Sequence, residues 1–432
     1  MRKTVTHTLR DPALFKLQLL KWTQQFREIA FLDSNNSIQK YSSYDCIVAV
    51  DAFTSIQTDY SRAFEELKEY QEKISDYIFG HLSYDIKNGT ENITSSNFDG
   101  LGFSDIHFFQ PKKIFKIQGS ELEMNYLFLC DDELQSDFDE ILLEKIDQIA
   151  NLNTTNFTIQ ARISEVDYLA KASKILEYIQ RGDIYEMNLC MEFFAENAAI
   201  NPFQIYQKLN EISQPPFAAF YKINDKYCLC ASPERYIRRE SNKIISQPIK
   251  GTVKRGLDII DDNAIKNLLS QNEKEISENI MIVDLVRNDL SKTAVKNSVD
   301  VEELCQPYTF KQVHHLISTV VSEVKPTTSG AEIIRTTFPM GSMTGAPKLS
   351  AMQIIEKYEE TKRGLYSGSI GYFEPNGDFD FNVVIRSILY NKTQKYVSFS
   401  VGSAITAASE IALEYEECLL KAKAMRQVLQ QK

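Results

Sequence analysis

The chain has 432 residues, 43% of them hydrophobic and 25% charged, with a formal net charge of −11; such a composition supports a large buried core and excludes general disorder. The acidic balance argues against nucleic acid or an anionic membrane as a partner, because both select clustered Lys and Arg, so any anion pocket must be local. Seven scattered cysteines and five histidines, of which only His314 and His315 are adjacent, point to reduced thiols in a cytoplasmic protein and away from a zinc or di-iron centre. The N-terminal MRKTVTHTLRDP lacks the apolar segment of a signal peptide, and no run reaches the roughly 18 apolar residues of a membrane span.

In chain order, strand-like runs (YDCIVAVDAF, HFFQPKKIFKIQG, ELEMNYLFLC) surround one amphipathic helical stretch, SRAFEELKEYQEKISDYIFG, up to about residue 157. The asparagine-rich NLNTTNFT is a plausible joint, dividing an N-terminal region 1–157 from a second region 158–432. Beyond it the pattern predicts a helix over 164–182, strands in DIYEMNLCMEF, DKYCLCASPERYIRR and KIISQPIKG, and one long helix over 264–290. GSMTGAPK then leads into a helix, strands follow at SGSIGYFE, FDFNVVIRSILY and YVSFSVGSAI, and a helix closes the chain from about Glu410 to Val428. Hairpin-like strands grouped between helices indicate an α+β layered architecture rather than a regular βαβ array.

Two of these helices carry paired carboxylates, Glu275 with Glu278 and Glu414 with Glu417. A three-residue spacing puts each pair on one helix face among apolar neighbours, where like charges repel unless something neutralises them. Four carboxylates without histidine suit a hard cation, and Mg²⁺ typically takes one or two protein carboxylates together with water and substrate oxygens. The same pattern also fits two solvated helix faces.

GSMTGAPK offers Gly341, Ser342, Thr344, Gly345 and Lys348 ahead of a helix, a start that favours an anion, although the spacing is not that of a nucleotide phosphate loop. In SVGSAITAASE, Gly402 and Ser403 read as a turn whose backbone could meet an anion, or as an ordinary tight turn. Arg386, inside an apolar strand-like run, needs an anion: either a ligand carboxylate held bidentately or a structural partner such as Asp378 or Asp380. Lys250, in QPIKGTVKRG, stands where a strand meets a Gly-Thr turn, either idle at the surface or working in a pocket.

Taken in order, SPER, PIKGT, ENIMIVDLVRND, GSMTGAPK, YSGSIGYF, DFNVVIRS and VGSAI followed by EYEECLLKAKAM resemble the blocks of the chorismate-binding enzymes over about residues 160–430. That family includes the large subunits of anthranilate synthase and aminodeoxychorismate synthase and the isochorismate and salicylate synthases. The resemblance implies two facing β-sheets flanked by helices, with Mg²⁺ and chorismate in the cleft between them. It implies Glu278 and Glu417 as Mg²⁺ ligands, with Glu275 and Glu414 acting beside them directly or through water. Tyr366, Arg386, Gly402 and Lys421 match groups that hold the substrate carboxylates, Thr252, His315 and Thr344 match ring-lining residues, and Glu234 matches the general acid for the C4 hydroxyl.

At the position where water-adding members carry a lysine, this chain has Glu186, and the usual residue of ammonia-using members is glutamine. PIKGT resembles the aminodeoxychorismate synthases, whereas anthranilate synthases resemble PIAGT. The resemblance therefore implies conversion of chorismate and ammonia to 4-amino-4-deoxychorismate, on the way to 4-aminobenzoate and folate. Lys250 would act as nucleophile from a neutral amine, which burial among Ile244, Ile245 and Ile249 would favour. No G-x-C-x-G element appears, so ammonia is expected from a separate glutamine amidotransferase subunit, and pyruvate release from another enzyme. FLDSN, residues 31–35, resembles an element that helps bind regulatory tryptophan in anthranilate synthases. The alternatives are anthranilate synthase activity, or a chorismate- or amino-acid-sensing subunit of the same fold.

Overall fold

In the strand Phe217–Ile223, Ala218 and Phe220 enter one apolar core while Ala219, Tyr221 and Ile223 enter another. Side chains alternate across a strand, so this two-residue period means that both faces of the sheet are covered. The computed structural model describes residues 1–37, 39–42, 44–146, 157–311 and 313–430. It is an α+β fold in which antiparallel strands form one continuous network with two arms.

The arms meet where the long strands Cys46–Thr58 and Ile106–Gln118 pair. From Cys46–Thr58 the first arm runs through Glu28–Asp33, Phe217–Ile223, Lys226–Ser232, Ser387–Asn391 and Tyr396–Thr406 to Glu186–Ala195. From Ile106–Gln118 the second runs through Ile78–Leu82, Ser369–Phe373, Phe379–Asn382, Arg235–Glu240 and Lys243–Gln247 to Val313–Glu323, which also pairs with Ile249–Lys254 and Asp300–Thr309. Strands from both sides of the expected joint thus share one network, and residues 151–156 of that joint lie outside the described residues.

One core packs the first arm against the helices Glu165–Arg181, Pro202–Ser213 and Ile411–Leu429. The other lies between the arms: Tyr221 and Cys228 come from the first, Ile244, Val320 and Phe381 from the second. The arms therefore face each other across an apolar filling, and the helix Glu273–Ser291 contributes Ile282, Val283 and Val286 to the same filling.

Local chemistry moves several predicted boundaries. The stretch 264–290 is two helices, Ile259–Leu269 and Glu273–Ser291, because the Asn272 side chain accepts the Glu275 backbone N–H and starts a new helix there. The amphipathic stretch 61–80 is helical only over Ala63–Ile74; it ends at Ser75 in the left-handed region, and the apolar Ile78–Leu82 becomes a strand. The run 379–390 breaks into two strands around Arg386, whose φ is 51°. Gly402 and Ser403 sit inside the strand Tyr396–Thr406, paired opposite Cys190 and Leu189, rather than in a turn. A side chain at position 402 would meet Cys190 Sγ at 2.6 Å, so close strand packing is what requires glycine there.

Candidate active site

A cleft of about 660 Å³ opens between the ends of the two arms and the helices Glu273–Ser291 and Ile411–Leu429. That volume suits a small organic ligand. Its lining brings together Lys250, Glu234, Thr252, His315, Tyr366, Arg386, Gly402, Ser403, Lys421 and all four helix glutamates. Thr344 is the exception: its hydroxyl turns back to the Met340 and Gly341 carbonyls at 3.3 and 3.2 Å, and the cleft is lined by Ser342 and Met343 instead. Lys348 is also turned away, held by Asp289 and the Thr337 and Pro339 carbonyls.

Lys250 is delivered by an irregular strand. Gly251 has φ 85°, which a side chain would strain, and the pairing with Val313–Glu323 shifts register between Lys250 and Thr252. The Lys250 ammonium donates to Glu186 Oε1 at 2.7 Å, with 12% and 2% of the two side chains exposed. The expected depression of this lysine is not found. Burial works to lower its pKa, but the charges of Glu186, Glu278 and Glu417 outweigh burial and hold it above the ordinary lysine range.

Burial likewise dominates the acids. The Glu234 carboxyl accepts the Ser342 hydroxyl at 2.6 Å and is pushed up to about 7 by desolvation, which hydrogen bonds from Ser342 and the Ile249 backbone and the charges of Lys250 and Arg386 offset only in part. Glu278 is also pushed up to about 7 by burial, and Glu275 is raised by burial and the charge of Glu417. Glu417 is more exposed than these, and it falls below its ordinary value because Lys421, 2.7 Å away, outweighs its partial desolvation. Lys274 bridges the two helices, 3.1 Å from Glu414 and 3.9 Å from Glu278, and the Ser403 hydroxyl donates to Glu414. These cations supply the neutralisation that the paired carboxylates require.

Arg386 has no carboxylate within 4 Å among the described residues, because Asp380 is taken by Arg235 at 2.8 Å and Asp378 accepts the Ser241 N–H. Its guanidinium donates to His315 Nε2 at 3.5 Å, and burial lowers its pKa to about 10. Burial and Arg386 also keep His315 neutral, so its Nδ1–H donates to Thr252 Oγ1 at 2.8 Å. Tyr366 lies beside them with its hydroxyl 3.7 Å from Cys190 Sγ. A half-buried guanidinium without an ion-pair partner, next to a neutral imidazole in a cleft that a phenol also lines, suits a carboxylate.

Among the described residues, no group of three or more His, Cys, Asp or Glu is gathered closely enough to hold an ion unaided. Oxygen donors from two helices nevertheless converge on the cleft. That arrangement fits Mg²⁺, which keeps waters and takes substrate oxygens rather than needing an all-protein cage.

Lys274 and Ser342 escaped the reading of the sequence as side-chain contributors. Lys274 stands four residues before Glu278, a detectable pairing signal, but its closer partner is 140 residues away. FLDSN lines a separate cavity of about 80 Å³ with Tyr44, Phe217 and Arg235, and there Asp33 pairs with Lys16 at 2.9 Å.

A cleft that combines an unmatched guanidinium, a protonatable carboxyl, a lysine and four oxygen donors defines an enzyme site for a small acidic substrate. The profile of the chorismate binding enzymes matches residues 20–427, and the chain belongs to that family. It is 33% identical over 361 residues to aminodeoxychorismate synthase component 1 of Bacillus subtilis, covering 81% of this chain and 76% of that protein. To an anthranilate synthase component I-like protein of Synechocystis it is 33% identical over 352 residues, covering 81% and 72%. In fold it resembles anthranilate synthase component I from Streptococcus pneumoniae, with a TM-score of 0.78 at 24% identity over 90% of this chain and 93% of that one. No helix among the described residues is long and apolar enough to cross a membrane.

Proposed function

We propose that the chain is the chorismate-aminating component of an aminodeoxychorismate synthase, converting chorismate and ammonia to 4-amino-4-deoxychorismate and water. The observation that carries this reading is the placement of Lys250 and the acid Glu234 in one cleft with Arg386. The name of the Bacillus subtilis relative supports the same substrate and product. Its designation as component 1 supports a glutamine amidotransferase subunit as the ammonia source.

Arg386 and Tyr366 receive one substrate carboxylate, and Lys421 with the Gly402–Ser403 backbone faces the other. Thr252 and His315 border the ring. When bound, Mg²⁺ supplies positive charge at the ring carboxylate; Glu278 and Glu417 would hold it, with Glu275 and Glu414 beside them. The Lys250 amine attacks C2, the ring double bond shifts, and the C4 hydroxyl leaves as water with the proton of Glu234. Ammonia then forms a bond to C4, the double bond shifts back, the C2–nitrogen bond breaks with its electrons returning to Lys250, and the new C4 ammonium gives a proton back to Glu234. Two displacements place nitrogen at C4 with retention, which is the reason for a nucleophilic lysine.

Product identification by mass spectrometry tests this, using the purified chain with chorismate, Mg²⁺ and an ammonium salt. The expected product has exchanged hydroxyl for amine and kept its pyruvyl group. Anthranilate with free pyruvate would overturn the reading in favour of anthranilate synthase, and binding of chorismate without turnover would favour a sensor.

A further inference from the structure

The contact between Lys250 and Glu186 is not used by the reaction as written. Glu186 opens the strand Glu186–Ala195 and is 1% exposed. Its Oε1 takes the lysine ammonium at 2.7 Å, while Oε2 is buried with no hydrogen-bond partner. It is not among the cleft-lining residues and meets the cleft only through Lys250, which is. A buried carboxylate with one unsatisfied oxygen is costly as an anion and less so once protonated. The groups facing this pair from other elements are Glu234 from the segment after Lys226–Ser232, Glu275 and Glu278 from one helix, and Glu417 from the other.

Resting on the aminating reading above, we propose that Glu186 is a positioning residue that takes the ammonium proton of Lys250 as the amine attacks and returns it when the lysine is expelled. In the first half, a proton passes from Nζ to Oε1, and the freed lone pair forms the bond to C2 while water leaves C4. In the second half, ammonia bonds to C4, the C2–nitrogen electrons return to Nζ, and Oε1 gives the proton back. The pair ends as it began, and no other reactant is needed.

This arrangement has a pH signature. While lysine and carboxyl share one proton, the reactive form, neutral amine with neutral acid, is a fixed fraction of the pair at every pH. With glutamine at position 186 the amine must lose its proton to solvent, and its reactive fraction rises about tenfold per pH unit.

The test compares initial rates of aminated product from full-length wild type, E186Q and E186D with chorismate, Mg²⁺ and saturating ammonium salt between about pH 6 and 8. Taking the wild-type to E186Q ratio cancels Glu234 and the ammonia equilibrium, which both proteins share. The ratio is expected to fall about tenfold per pH unit, with KM for chorismate unchanged because Glu186 does not line the cleft. E186D, which keeps a carboxylate, is expected to give a ratio to wild type that does not vary with pH. A wild-type to E186Q ratio that is constant with pH would overturn the inference and leave a structural ion pair. Absence of aminated product from wild type at every pH would overturn the aminating reading itself, and this inference with it.

Discussion

Arg363 is buried and Arg386 is half-buried in the cleft wall, and their surroundings differ. Arg363 meets Glu359 through two nitrogens, at 2.7 and 2.9 Å, and also reaches the Met343 and Asn188 carbonyls. Among the described residues, Arg386 shows only the weak side-chain contact to His315. Lysines show the same contrast: Lys348 is held by Asp289 and two carbonyls, whereas Lys250 has a single carboxylate partner. Burying charge is expensive, and the fold meets that cost more completely at Arg363 and Lys348 than at Arg386 and Lys250. In the proposed function the ligand meets the unmatched charge of the cleft, and this difference would separate a functional cluster from a structural one with the same residue types.

The contrast can be broken most severely at the nucleophile. Lys250→Ala is expected to abolish aminated product while the protein still folds and binds chorismate, measured by product mass and equilibrium binding. An unchanged rate would return Lys250 to the structural group. Glu234→Gln should lower kcat by about 10²–10⁴-fold. In the proposed reaction the acid form of Glu234 is the working one, and burial pushes its pKa up to about 7. Activity limited by it is therefore full below that value and lost as pH rises through it, and the Gln variant should lack this alkaline limb.

On the structural side, Lys348→Met removes one of the two lysines that neutralise Asp289, 4% exposed, and leaves Lys292 at 3.0 Å as the other. A buried charge left wholly uncompensated costs about 3–5 kcal/mol, and with Lys292 remaining the loss in denaturant unfolding should fall below that range. Arg386→Lys keeps the charge but loses the fork that matches a carboxylate, and KM for chorismate should rise about 10–100-fold with little change in unfolding stability. A large loss of stability instead would place Arg386 with Arg363.

Most of this contrast was legible before folding was considered. The Glu-x-x-Glu pairs, Lys250 and Arg386 stand out because charge in an apolar stretch demands a partner. What stayed hidden depends on pairing through space. Lys274 looks like one more surface cation beside Glu275, and only the approach of the Ile411–Leu429 helix makes it a bridge. Thr344 was misplaced because its loop closes on its own carbonyls, a choice made by backbone geometry rather than residue type. The apolar run around Arg386 reads as one strand, and its break is imposed by the two strands it joins. For Lys250, apolar neighbours suggested a depressed amine; Glu186, 64 residues away in sequence, reverses the sign. Glu186 itself lies on the inward-facing alternation of EMNLCMEF, visible only once the outward Met187, Leu189 and Met191 are known to face the helices.

The most direct test of the account is the covalent step. The protein is incubated with chorismate and Mg²⁺ in the absence of ammonium, quenched, and examined by intact and peptide mass spectrometry. The account predicts a mass gain of chorismate less one water, confined to the peptide carrying Lys250 and discharged to aminated product on adding ammonium. An unmodified Lys250 peptide in protein that still aminates chorismate when ammonium is supplied would contradict it.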